Sequence, residues 1–144
     1  QNYGAGDFQR CKKVYRLCMI FSVIFCGLLS GIFVLGRDFF LRLYTTDPNV
    51  LTFAVQRLLI VTTLELLTST YEISGGAMRG FGHSLTPALI TVVGSCVLRL
   101  IWINTVCRAV HEFWVVMIIY PISWALTGTV MITAYLLLRR KLMR

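Results

Sequence analysis

FWVVMIIYPISWALTGTVMITAYLLL, residues 113–138, runs for 26 positions without a charged side chain. About 20 apolar residues in a helix cross a bilayer core, so this run reads as a transmembrane helix. Pro121 and Gly128 lie inside it and predict a kink. Basic residues follow at once: Arg139, Arg140, Lys141 and Arg144.

A second run, Leu17 to Gly36, has 20 residues and no charge. Two weaker spans lie between these. Val50 to Ser74 is apolar but carries Arg57, Glu65 and Glu72, and Thr86 to Val106 carries Arg99. Facing lipid, such charges would be costly, so they must turn toward protein or water. The expected fold class is therefore an all-α polytopic membrane protein with four transmembrane helices, at about 15–36, 49–74, 85–106 and 113–138. The composition agrees: of 144 residues 57% are hydrophobic and only 14% charged, with mean hydropathy +0.75, where soluble domains carry nearer a quarter charged residues.

The net charge of +8 does not point to nucleic acid, because its placement is sided. Arg10, Lys12, Lys13 and Arg16 precede the first span, and the Arg139–Arg144 cluster follows the last. An even number of crossings puts both clusters on one side, and the positive-inside bias makes that side cytoplasmic. With Arg79 the inside holds nine Lys/Arg, against Arg37, Arg42 and Arg108 outside. Both ends of the chain are thus expected in the cytoplasm and the spans in the plasma (inner) membrane. The chain begins with Gln, shows no signal peptide, and is expected to be part of a longer protein.

Local signals fill in the connections. Gly4 and Gly6 mark a turn before the first span. Asp47 suits the cap of the second, with Pro48 in its first turn, and Ser84 or Thr86 the cap of the third. Gly27 and Gly31 have GxxxG spacing, which predicts close packing against a neighbouring span of the same chain. The five cysteines (Cys11, Cys18, Cys26, Cys96 and Cys107) show no metal spacing and read as small apolar residues.

EISGGAMRGFGHSLTP, residues 72–87, is the connector between the second and third spans. Gly75, Gly76, Gly80 and Gly82 are expected to stop the helix and turn the chain. No lysine follows Gly80 as a P-loop requires, GxGxxG fails at Leu85, and no strand precedes either pattern. HEFWV, residues 111–115, lacks the second histidine of a zinc protease. No Ser–His–Asp or Cys–His set is visible, so no enzyme activity, metal or cofactor is expected.

The second span carries the chemistry. On a regular helix Glu65, Thr68 and Glu72 fall within about 60° of one another, with Arg57 at the edge of that side. Such a stripe either pairs with other helices or walls an ion or substrate pathway. Counted from Phe81, Glu65 lies 16 residues back, Arg99 lies 18 forward and Glu72 only nine back. At ~1.5 Å per residue, Arg99 is expected at the depth of Glu65 as its counter-charge. Glu72 would then be the freer carboxylate, a protonation site exchanging with the cytoplasm.

QNYGAGDFQRCKKVYR before an apolar span, then YTTDPNV, GGAMRGFGHSLTPALI and VLRLIWI, resemble the multidrug and toxic compound extrusion (MATE) family across nearly the whole chain. The resemblance implies the end of helix 8 and helices 9–12 of a twelve-helix, two-lobed transporter with alternating access. Arg79 and the surrounding glycines would mark its cytoplasmic connector. It implies export of cationic, amphipathic small molecules driven by H+ or Na+ entry, by a protein monomeric at full length and bathed in membrane lipid. Some sodium-linked members carry Asp eleven residues before the connector Arg. That position here is Thr68, which leaves proton coupling open and places sodium coupling in question.

The reading that follows assigns Glu72 and Glu65 to ion coupling, Arg99 to the counter-charge, and Thr68 and Tyr71 to the cavity wall. The alternatives are a relative moving an organic acid or a lipid-linked precursor, and a self-standing four-helix scaffold or partner subunit.

Overall fold

A computed structural model describes residues 1–142, so Arg144 of the terminal basic cluster lies outside the described residues. The described chain is built of helices and connecting turns: α1 Phe8–Leu35, α2 Arg37–Arg42, α3 Pro48–Gly80, α4 Leu85–Ala109 and α5 Phe113–Leu142. All but the short α2 are long and apolar enough to cross a membrane, as the uncharged runs imply.

Capping follows from the sequence. The Asp7 carboxylate accepts from Arg10 N at 2.9 Å to start α1, and Asp47 accepts from Asn49 N at 2.9 Å to start α3, with Pro48 behind it. Each satisfies a backbone donor that has no partner inside the helix. Ser84 occupies the cap position of α4 without a side-chain bond. Helix α5 continues through Pro121, which is buried.

The last helix is the core of the bundle. Val115, Met117, Ile119, Trp124, Met131 and Tyr135 of α5 are all buried, and α3 and α4 both pack on it while α1 packs on α3. A helix apolar all round is one surrounded by protein or lipid on every side, and α5 is that helix. Much of the apolar surface of α1, including Phe21, Phe25, Leu28 and Leu29, is exposed, as suits contact with hydrocarbon or with further helices.

Two expectations are corrected. The glycines of residues 75–80 do not stop the second span: α3 runs on to Gly80, and the turn is made by Gly82 alone, at φ +85°. Ser74, Gly75 and Met78 are buried against neighbouring helices, and a Cβ on Gly75 would stand 3.4 Å from Pro87 and 3.6 Å from Met131. These glycines are contact surface rather than punctuation. The GxxxG pair is the opposite case. Nothing lies within 4 Å of where a Cβ on Gly27 or Gly31 would sit. The close approaches are instead Gly94 of α4 against Thr127 of α5, and Gly128 of α5 against Thr70 of α3.

Candidate functional site

Helix α3 is not a regular helix where its charges lie. Leu58–Thr62 is a π-helical turn and Glu65–Leu67 a 3₁₀ turn. Between them Leu64 sits at φ −100°, ψ 1°, outside helical geometry. Changes of helical pitch inside a span leave carbonyls without their usual partners and mark functional positions. Two hydroxyls bond back to carbonyls of this stretch: Thr68 Oγ1 donates to Glu65 O at 2.7 Å, and Thr70 Oγ1 donates to Leu67 O at 2.6 Å. Helix α4 carries a second π-helical stretch, Val92–Val97, around Gly94.

Glu65 and Glu72 are exposed, Thr68 and Tyr71 half-buried. Tyr71 stands within electrostatic reach of Glu72, Arg99 and Glu65. The pairing inside the group differs from expectation. Arg99 donates to Ser123 Oγ from Nε at 3.2 Å and from Nη2 at 3.1 Å, with its guanidinium 4.5 Å from the centre of the Tyr120 ring. Among the described residues Arg99 forms no ion pair with Glu65. The irregular turns explain the miss, because a depth count at a constant rise per residue fails once a 3₁₀ turn intervenes on the Glu65 side and a π stretch on the Arg99 side.

Glu72 has a basic neighbour on its own helix. Its Oε2 lies 4.0 Å from Arg79 Nη2, both side chains being more than half exposed, a contact worth little in water. Glu65 makes no ion pair among the described residues. Gly76, Arg79 and Gly80 lie on the final turns of α3 beside Glu72, and only Gly82 belongs to the turn itself.

Sequence reasoning missed a hydroxyl and aromatic chain behind the site. Tyr15 OH and Ser74 Oγ are 3.0 Å apart, and Ser74 Oγ donates to Thr70 O at 2.6 Å. The Tyr15 ring stacks on Tyr135 at 4.1 Å. Ser22 Oγ donates to Ser69 Oγ at 3.0 Å, linking α1 to α3. The available signal was the set of Ser, Thr and Tyr residues within apolar runs, since a polar group in hydrocarbon must find a partner inside the protein. Two open cavities flank these contacts. One of about 340 Å³ lies between α1 and the end of α3, with Glu72 in its wall. The other, about 450 Å³ and apolar, lies between α4 and α5 around Gly94 and Thr127.

The MatE family profile matches residues 1–105. The chain belongs to the MatE family. Among curated relatives it is similar to human "Multidrug and toxin extrusion protein 1", with 26% identity covering 67% of this chain and 17% of that protein. The mouse protein of the same name is 29% identical over 67% of this chain and 17% of its own length. "Probable multidrug resistance protein NorM" of Chromobacterium violaceum is 26% identical over 62% of this chain and 19% of that protein. The chain thus spans about a fifth of the length of these relatives. No solved structure matches it significantly.

Proposed function

We propose that this chain is helices 9–12 of a cation-coupled MatE-family exporter, moving cationic amphipathic compounds out of the cell against H+ entry. The observation that carries the reading is the broken α3. A π turn ends at Thr62, and a 3₁₀ turn begins at Glu65 and leads into Thr68, in the middle of a membrane-capable helix. Discontinuous membrane helices place carboxylates and freed carbonyls where ions and substrates bind. The names of the relatives speak of drugs and toxins as cargo, and the cationic, amphipathic character is the reading added here.

In this reading Glu65 and Glu72 take up and release the coupling cation. Arg99 is held by Tyr120 and Ser123 as a fixed positive charge near Tyr71 and biases that equilibrium. Each charge entering across 100 mV releases about 2.3 kcal/mol. At ~1.4 kcal/mol per decade, that sustains a solute gradient of a few tens-fold, so one acidic group is enough. Thr68 has no carboxylate to offer Na+, which favours H+. The basic clusters on either side of the spans orient both ends of the chain toward the cytoplasm.

The test is reconstitution of the full-length protein in liposomes loaded with ethidium, with a proton or a sodium gradient imposed separately. Efflux driven by the proton gradient and not by sodium supports the reading. Efflux driven by sodium alone overturns the ion assignment, and no gradient-driven efflux overturns the function.

A further inference from the structure

We propose that the outward stripe of α1, formed by Arg10, Lys13, Leu17, Ile20 and Ile24, binds an anionic phospholipid of the cytoplasmic leaflet. Binding there requires the membrane spans alone and not the exporter activity proposed above. The rotation of α1 is fixed from its inner side. Tyr15 OH and Ser74 Oγ are 3.0 Å apart, Ser22 Oγ donates to Ser69 Oγ at 3.0 Å, and the Tyr15 ring stacks on Tyr135. Tyr15 and Ser22, seven residues apart, share one face of the helix. Arg10, Lys13, Leu17, Ile20 and Ile24 follow one another at steps of three and four, and at 3.6 residues per turn they fall on the opposite face. All five are exposed.

The stripe changes character once along its length. Its first two positions are cationic and its last three apolar. Asp7 is the one carboxylate among residues 1–37, and it is engaged in capping α1 through Arg10 N. Among the described residues neither Arg10 nor Lys13 forms an ion pair. At ~1.5 Å per residue the stripe from Arg10 to Ile24 covers about 21 Å. That is the thickness of one leaflet of a bilayer about 40–45 Å across with its headgroups.

Two unpaired cations at the headgroup end and a continuous apolar strip toward the core match a phosphate that carries acyl chains. A free phosphate would use only the cationic end. A neighbouring helix would have to bring carboxylates to the same depth, because an unpaired charge against protein is costly. The second basic run, Arg139–Lys141, closes α5 at this same end of the bundle, where Tyr135 meets Tyr15. It adds to the positive potential that draws anionic lipid to this face.

A reporter on the stripe tests the proposal. Full-length protein carrying Leu17→Trp would be reconstituted in phosphatidylcholine vesicles with a minor fraction of phosphatidylglycerol. Bromine on the acyl chains of one lipid or the other serves as the fluorescence quencher, and the emission added by the substitution is read against the unsubstituted protein. Brominated phosphatidylglycerol is expected to be preferred about 5- to 25-fold over phosphatidylcholine at this position, about fivefold for each charge. Adding Arg10→Gln and Lys13→Gln should return quenching to the mole fraction, whereas Arg37→Gln with Arg42→Gln, at the other end of the bundle, should leave the preference intact. Quenching by both lipids in proportion to their amounts would overturn the headgroup site. No quenching by either would mean that protein covers the stripe, and would overturn it too. Excess inorganic phosphate at constant ionic strength is expected to leave the preference unchanged; its loss would make this a site for a free anion and overturn the lipid. The comparison of the two lipids needs no charge variant to fold.

Discussion

Replacing Gly94 with Ala tests the packing that holds α4 on α5. A Cβ there would run into Thr127 Oγ1, and would also stand 3.0 Å from Thr127 Cβ and 3.2 Å from its Cγ2. Three atoms of one side chain are involved, so rotating Thr127 does not clear the contact and the helices must part. Overpacking of this kind costs about 1–3 kcal/mol. Thr127→Ala removes two of the three atoms. It also removes a hydroxyl that is 2% exposed and has no hydrogen-bond partner. Such a buried group carries a penalty of about 1–3 kcal/mol, against roughly 1 kcal/mol of lost apolar burial. Thr127→Ala is therefore expected to be neutral or stabilising. Gly94→Ala is expected to cost at most half as much in that background, a coupling of about 1 kcal/mol or more. The assay is thermal unfolding of the full-length protein in detergent, for the four proteins of the cycle, with Gly27→Ala as control. Gly27 has open space around it, so its substitution should stay within about 0.5 kcal/mol. Equal costs of Gly94→Ala in both backgrounds would refute the contact, as would a larger cost for Gly27→Ala.

Arg99→Met removes both bonds to Ser123 and the Tyr120 contact, and should lower thermal stability by about 2–3 kcal/mol. Arg99→Lys should recover part of this by keeping the charge near Tyr120. Gly82→Ala introduces a Cβ at φ +85° with nothing within 4 Å, so only backbone strain is felt, about 1 kcal/mol in the same unfolding assay. Inserting an alanine after Thr52, in the regular α-helical part of α3 before the π turn Leu58–Thr62, should turn Glu65 about 100° around the helix relative to the residues before the insertion, abolishing coupled efflux in a protein that still reaches the membrane.

How far the sequence could be read depended on regularity. The four spans were legible because hydrocarbon demands long uncharged helices, although α1 begins at Phe8, well before the expected start near 15, and α5 runs on through Arg139–Lys141 to Leu142. The Asp47–Pro48 start of α3 was legible from its capping residues. What could not be read was anything depending on pitch within a span. The wheel that aligned Glu65, Thr68 and Glu72, and the depth count that paired Arg99 with Glu65, both assumed an unbroken α-helix. The 3₁₀ turn Glu65–Leu67 and the π stretch Val92–Val97 break that assumption, and apolar runs such as VVGSCV at 92–97 give no local sign of it. Glycine spacing misled in both directions: a Cβ on Gly27 or Gly31 would meet nothing within 4 Å, while Gly94 and Gly128, without the motif, make the tight crossings. Those crossings depend on which partner residue is small or polar on another helix, which periodicity does not encode.

The most direct test of the account is proton-driven ethidium efflux by the full-length protein in liposomes, compared between wild type, Glu65→Gln and Glu72→Gln at equal membrane insertion. The account predicts that each substitution uncouples efflux from the proton gradient. Wild-type coupling in both variants would contradict the assignment of the broken α3 to the cation pathway.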